Sequence, residues 1–146
     1  MKKTDPSLKL LMNLAKVQSL MSRRFDSLSA HGISFSDFMI MYLLSQATDG
    51  KMRRVDLADR IGLTSSGVTR MLVPMEKIGL IKREANDRDA RVSYAVLTDT
   101  GREILEDALV TAVAKAKEII QPAAVKETNA LADLLAELGG ELLHKF

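Results

Sequence analysis

The chain has 146 residues, of which 47% are hydrophobic and 27% charged, enough for one globular unit with a core of its own. It contains no cysteine, which excludes disulfides, thiolate metal sites and thiol redox sensing and fits a reducing cytoplasm. The net charge of +2 is unevenly spread: residues 51–102 hold eleven Lys/Arg against seven Asp/Glu, a surplus of +4, whereas the flanks together carry −2. A basic middle between mildly acidic flanks is the footprint expected of a nucleic-acid module.

The opening stretch Met1-Lys2-Lys3-Thr4-Asp5-Pro6 is polar, so no secretory signal is expected. No apolar run approaches the roughly 20 residues that span a bilayer, and no membrane partner is expected either. Residues 7–29 predict an amphipathic helix, with Leu10, Leu14, Val17, Met21, Phe25 and Leu28 at three- and four-residue steps. His31-Gly32 ends it. Ser34 and Asp37 form a capping-box pattern that opens a second helix at about 35–47. That helix is apolar nearly all round, so it should lie centrally. Thr48-Asp49-Gly50 reads as a turn.

A short helix at about 54–61 stops at Gly62, and Thr64 caps the next, at about 65–78. Two short helices joined at Gly62-Leu63-Thr64 have the form of a helix-turn-helix. Turning the second by about 100° per residue gathers Val68, Met71, Leu72 and Met75 on one side. Ser65, Ser66, Thr69, Arg70, Val73 and Lys77 gather on the other. Small polar residues near the start allow close approach to a groove floor, Arg70 suits bidentate bonding to guanine, and the hydroxyls of Thr64, Ser65, Ser66 and Thr69 suit bases or phosphates. A plain surface helix divides in the same way, so the helix alone decides nothing. Pro74 removes a backbone bond to the Arg70 carbonyl and predicts a kink. Gly67 lowers helix propensity by about 1 kcal/mol relative to Ala.

Leu80–Ala85 and Val92–Leu97 predict two strands joined by a charged loop, Asn86–Arg91. Arg88 and Arg91 in that loop suit a narrow minor groove, with Asp87 and Asp89 as supports that hold an arginine extended. Turn-linked helices followed by a basic hairpin make a winged helix, here at 35–101, with a recognition helix at 65–78 and a wing at 80–97. Thr98 caps a long helix to about residue 120, Pro122 breaks it, and a last helix carries Leu131, Leu134, Leu135, Leu138, Leu142 and Leu143. The expected fold is mainly α with a small β-hairpin wing. The flanks at 7–31 and 102–146 hold more leucine than one subunit needs, which predicts a homodimer.

Asp89-Ala90-Arg91 with Leu97-Thr98-Asp99-Thr100-Gly101 resembles the wing motif of the MarR family (multiple antibiotic resistance regulators). Val68-Thr69-Arg70, Glu76-Lys77-Ile78-Gly79-Leu80-Ile81 and Gly32-Ile33-Ser34 fit the same pattern, so the resemblance covers nearly all of 1–146 as a single domain. It implies a homodimeric transcriptional regulator, a repressor by analogy, on a pseudo-palindromic operator in double-stranded DNA. Arg91 would enter the minor groove. It also implies release by a small aromatic or phenolic anion near Phe38, Met39, Met41 and Tyr42, with Arg23 or Arg24 as charge partners.

The competing readings are a winged module for protein contacts, a DNA-binding regulator without a small-molecule ligand, and an enzyme. Gly62 and Gly67 are spaced as in a phosphate loop, but Val68-Thr69 replaces the Lys-Ser/Thr that such a loop needs. No catalytic residue and no cofactor are therefore expected. His31 and His144 are the only histidines and lie far apart in sequence, so no metal site is expected.

Overall fold

A computed structural model describes residues 3–121 and 125–143. Helix α1, Pro6–Arg24, starts where the Asp5 carboxylate accepts from the Ser7 amide at 2.8 Å and Pro6 occupies the first turn. It ends five residues short of the expected boundary. The chain tightens there into a 3-10 turn, Asp26–His31, whose three-residue step places both Phe25 and Leu28 in the core. Helix α2, Phe35–Gln46, begins with the full capping box: Ser34 Oγ accepts from the Asp37 amide at 3.1 Å, and Asp37 Oδ2 from the Ser34 amide at 2.9 Å. Its all-round apolar sequence buries Ile40, Met41, Leu43 and Leu44 at the centre of the molecule, as its composition requires.

A turn through Thr48–Gly50 leads into β1, Lys51–Arg53, a strand that the sequence reading left out. Helix α3, Arg54–Ile61, stops at Gly62, whose φ of 77° is the left-handed cap that admits the tight turn. Thr64 then caps α4, Ser65–Lys77, by accepting from the Gly67 amide at 3.1 Å. Strands β2, Ile81–Ala85, and β3, Ser93–Leu97, complete an antiparallel sheet in the order β1-β3-β2, with Tyr94 opposite Arg53 on one side and Glu84 on the other.

Helix α5, Asp99–Ile119, is fastened to the sheet at its first turn. Thr98 Oγ1 accepts from the Gly101 amide at 2.9 Å and donates to the Gly79 carbonyl at 2.6 Å. A Cβ on Gly101 would lie 2.1 Å from the Leu80 carbonyl oxygen, so only glycine fits. Helix α6, Val125–Leu135, passes into a π-helical segment, Ala136–Gly140, so the last helix is shorter than its leucine pattern predicts. Pro122 lies outside the described residues.

The result is the expected class, mainly α with a small β wing. The core unites the 3-10 turn, α2, α3, α4, the sheet and the first half of α5. No side chain of α1 is buried, and none among the described residues of α6.

Candidate nucleic-acid interface

Helix α4 lies on the module with Val68, Leu72 and Met75 buried and Met71 half-buried. Its other side presents Ser65, Ser66, Thr69, Arg70, Val73 and Lys77 to solvent. The hydroxyls there are not equally free. Thr64 Oγ1 is occupied by the Gly67 amide and lies 3.2 Å from Ser66 Oγ. Thr69 Oγ1 donates to the Ser65 carbonyl at 3.0 Å and accepts from Arg54 Nη2 at 3.1 Å. Arg70 and Lys77 form no ion pair among the described residues, so both cations are available to a polyanion. The helix runs through Pro74 to Lys77; beyond it, the Leu80 amide closes on the Met75 carbonyl at 3.0 Å.

The wing is ordered by side chains at its root. Asn86 Oδ1 accepts from the Arg88 amide at 2.8 Å and the Asp89 amide at 3.2 Å, while Asn86 Nδ2 donates to the Tyr94 hydroxyl at 3.1 Å. Asp89 grips Arg91 with both oxygens: Nε reaches Oδ1 at 3.1 Å and Nη2 reaches Oδ2 at 3.2 Å. Asp89 Oδ1 also accepts from the Arg91 amide at 3.0 Å. The Arg91 side-chain bonds, followed by this backbone bond, hold the Asp89 carboxyl below the usual aspartate range. Arg91 is nevertheless 91% exposed, so it is oriented without being buried. Arg88 stands exposed at the tip, and Asp87 beside it is exposed and makes no hydrogen bond among the described residues, unlike Asp89.

Lys51 anchors the wing root from β1. Its ammonium meets Glu84 at 2.9 Å and lies 5.1 Å from the Tyr94 ring centre. The Glu84 carboxylate raises the lysine pKa, and Lys51 in turn lowers that of Glu84. Sequence reasoning missed Lys51, Arg54, Asn86 and Tyr94. Only Asn86 carried a usable signal, since an asparagine two residues before an amide it can bond is a turn former.

The residues named for a small-molecule pocket are brought together only in part. Phe38 and Tyr42 join Phe25, Phe35 and, from α5, Leu109 and Val113 around an apolar cavity of about 250 Å³. Phe25 and Phe35 stack with ring centres 4.1 Å apart. Met41 instead belongs to the core, and half-buried Met39 does not line the cavity. Arg23 and Arg24 sit exposed at the end of α1, outside the lining, and no charged side chain lines the cavity.

A family model described as "MarR family" matches residues 33–93, from the start of α2 into β3. Over that span the chain is similar to the MarR family. The HTH-type transcriptional regulator MhqR of Bacillus subtilis is 26% identical over 137 residues, 93% of this chain and 93% of that protein. The transcriptional repressor MprA of Escherichia coli is 30% identical over 90 residues, 62% of this chain and 51% of that protein. The transcriptional regulator BldR from Sulfolobus solfataricus superposes with a TM-score of 0.82 at 25% identity, over 94% of this chain and 97% of BldR. A MarR-family regulator from Streptomyces coelicolor, crystallised in complex with DNA, matches with a TM-score of 0.76 at 20% identity, over 93% and 92% of the two chains. An organohalide-sensing regulator in its 2,4-dichlorophenol-bound form gives 0.80 at 20% identity, over 93% of this chain and 80% of that one. These relatives are named as transcriptional regulators. No helix of the described residues is long and apolar enough to cross a membrane.

Proposed function

We propose that this chain is a regulator of the MarR type, a homodimeric repressor that lays α4 in the major groove and Arg91 in the minor groove of a pseudo-palindromic operator. The observation that carries the reading is Arg91: a guanidinium that donates two bonds to Asp89, yet is 91% exposed, in the loop of a wing beside a helix with free cations. A fixed arginine enters a groove with less loss of side-chain freedom than a mobile one. Ser65, Ser66, Arg70 and Lys77 on α4 and Arg88 on the wing supply the remaining contacts, and Thr64 acts mainly as the helix cap.

Dimerisation by residues 7–31 and 102–146 is supported by the apolar side chains these helices leave in water, Leu11, Met12, Val110 and Leu131 among them. Two-fold symmetry would place the half-sites one helical turn apart, roughly 34–36 Å. The repressor output is supported by likeness to a transcriptional repressor. The cavity beside α5 suits a small aromatic effector. Its apolar lining favours a neutral phenol over the anion expected from Arg23 and Arg24.

Selection of bound sequences from random duplex DNA, followed by salt titration, tests the reading. A palindrome should be recovered, with log K falling by about 0.9 per phosphate contact per log unit of salt. Arg70→Ala should weaken the selected site by about 1–3 kcal/mol more than random DNA. No enriched sequence, together with unchanged binding by Arg91→Ala, would overturn it.

A further inference from the structure

Arg54 spans the helix-turn-helix. Nη1 donates to Glu76 Oε1 and Nη2 to Thr69 Oγ1, each at 3.1 Å, so one guanidinium ties α3 to two turns of α4. Its side chain is 13% exposed, against 51% for neighbouring Arg53. Arg54 stands in the first turn of α3, where the helix dipole disfavours a cation. Its place is therefore explained by what it reaches on α4, not by its own helix.

The consequence falls on Thr69. A threonine hydroxyl has one proton to give, and here it goes to the Ser65 carbonyl at 3.0 Å. A lone pair is taken by Arg54. Thr69 is still exposed on the reading side of α4. What stays unengaged on the exposed side chain is the methyl group and a single lone pair, with no proton left to donate. A free hydroxyl serves donors and acceptors alike and discriminates poorly between bases, whereas a methyl group matches the C5-methyl of thymine.

We propose that Thr69 reads the operator through its methyl group, against a thymine methyl in the major groove, and that Arg54 is the positioning residue that keeps the hydroxyl turned away. The inference rests on α4 being the recognition helix. Locking the hydroxyl turns an indiscriminate polar contact into a selective apolar one, at the cost of a half-buried charge that Glu76 neutralises.

Deoxyuridine, which lacks only the thymine methyl, provides the test. The full chain first selects its consensus from random duplex DNA. Each thymine of one half-site is then replaced singly by deoxyuridine, and the ratio of the two Kd values is measured for the wild type, Thr69→Val, Thr69→Ser and Arg54→Leu. One position should show a ratio of roughly fivefold in the wild type, the low end of the effect of one altered base pair. Thr69→Val, which keeps the methyl, should retain that ratio, and Thr69→Ser should bring it to one. Arg54→Leu should shrink the ratio and broaden base choice at that position, a readout that loss of stability alone does not move. Uracil tolerated at every position, or a ratio kept by Thr69→Ser and lost by Thr69→Val, overturns the inference while the operator reading stands. Failure to enrich any sequence removes both.

Discussion

The winged module and the terminal helices are built from equally apolar sequence, yet only one of them is buried. In α2, Ile40, Met41, Leu43 and Leu44 are fully enclosed, whereas α1 leaves Leu8, Leu11 and Met12 in solvent and α6 does the same with Leu131 and Leu134. The difference lies in what fixes each element. Caps at Ser34, Thr64 and Thr98, the turn at Gly62 and the register of three strands hold the module's elements against one another. The terminal segments join the core at the 3-10 turn and at the root of α5. Hydrophobic content supplies the drive for burial; geometry decides which surface receives it.

The contrast can be broken most severely inside the module. Gly101→Ala forces a methyl group into the Leu80 carbonyl and should cost about 3 kcal/mol or more in urea denaturation. A midpoint near that of the wild type would mean that the root of α5 is softer than its contacts indicate. In the terminal helices the same kind of change should act on association. Replacing Leu131 and Leu134 by serine should weaken self-association by about 2 kcal/mol or more for each leucine that a partner covers. The checks are sedimentation over a dilution series and a urea midpoint measured at several protein concentrations. A fall in midpoint independent of concentration would erase the distinction between the two regions.

A smaller effect sharpens it. Thr98→Val keeps the shape of the cap residue and loses its bonds to Gly79 and Gly101, at a cost of about 1 kcal/mol by urea denaturation. The least effect on the fold is expected at the wing tip, where Asp89→Asn should leave the melting temperature in place and lower operator affinity in fluorescence anisotropy. The sign with pH is definite. Arg91 depresses the Asp89 pKa, so the lock is complete above the usual aspartate range and is lost only as pH falls through the lower folded value. The difference between wild type and Asp89→Asn should therefore be constant from about pH 8 to about pH 5.

Most elements were legible because their boundaries are local chemistry. Ser34, Gly62, Thr64 and Thr98 act within three or four residues of themselves, and each begins or ends a helix where its type predicts. Strand β1 was not legible, since Lys51, Met52 and Arg53 become a strand only by pairing with Val96, Ala95 and Tyr94 some forty residues on. The end of α1 was hidden for another reason. Phe25 and Leu28 keep a three-residue spacing that an α-helix and a 3-10 turn share. At the interface, the pattern of exposed and buried residues on α4 follows helical periodicity and was readable. That Thr69 accepts a bond from Arg54, fifteen residues before it, is information that no periodicity carries.

The joint between Gly79–Leu80 and Thr98–Gly101 has a mechanical meaning. Helix α5 has 21 residues and so extends about 30 Å from this joint. Its near end is pressed onto the first residues of the wing with no room for a methyl group, and its far half carries Leu109, Val113 and the wall of the aromatic cavity. A rod clamped this tightly at one end has no slack there. Any displacement of the far half would therefore be passed to the joint, and through it to the wing.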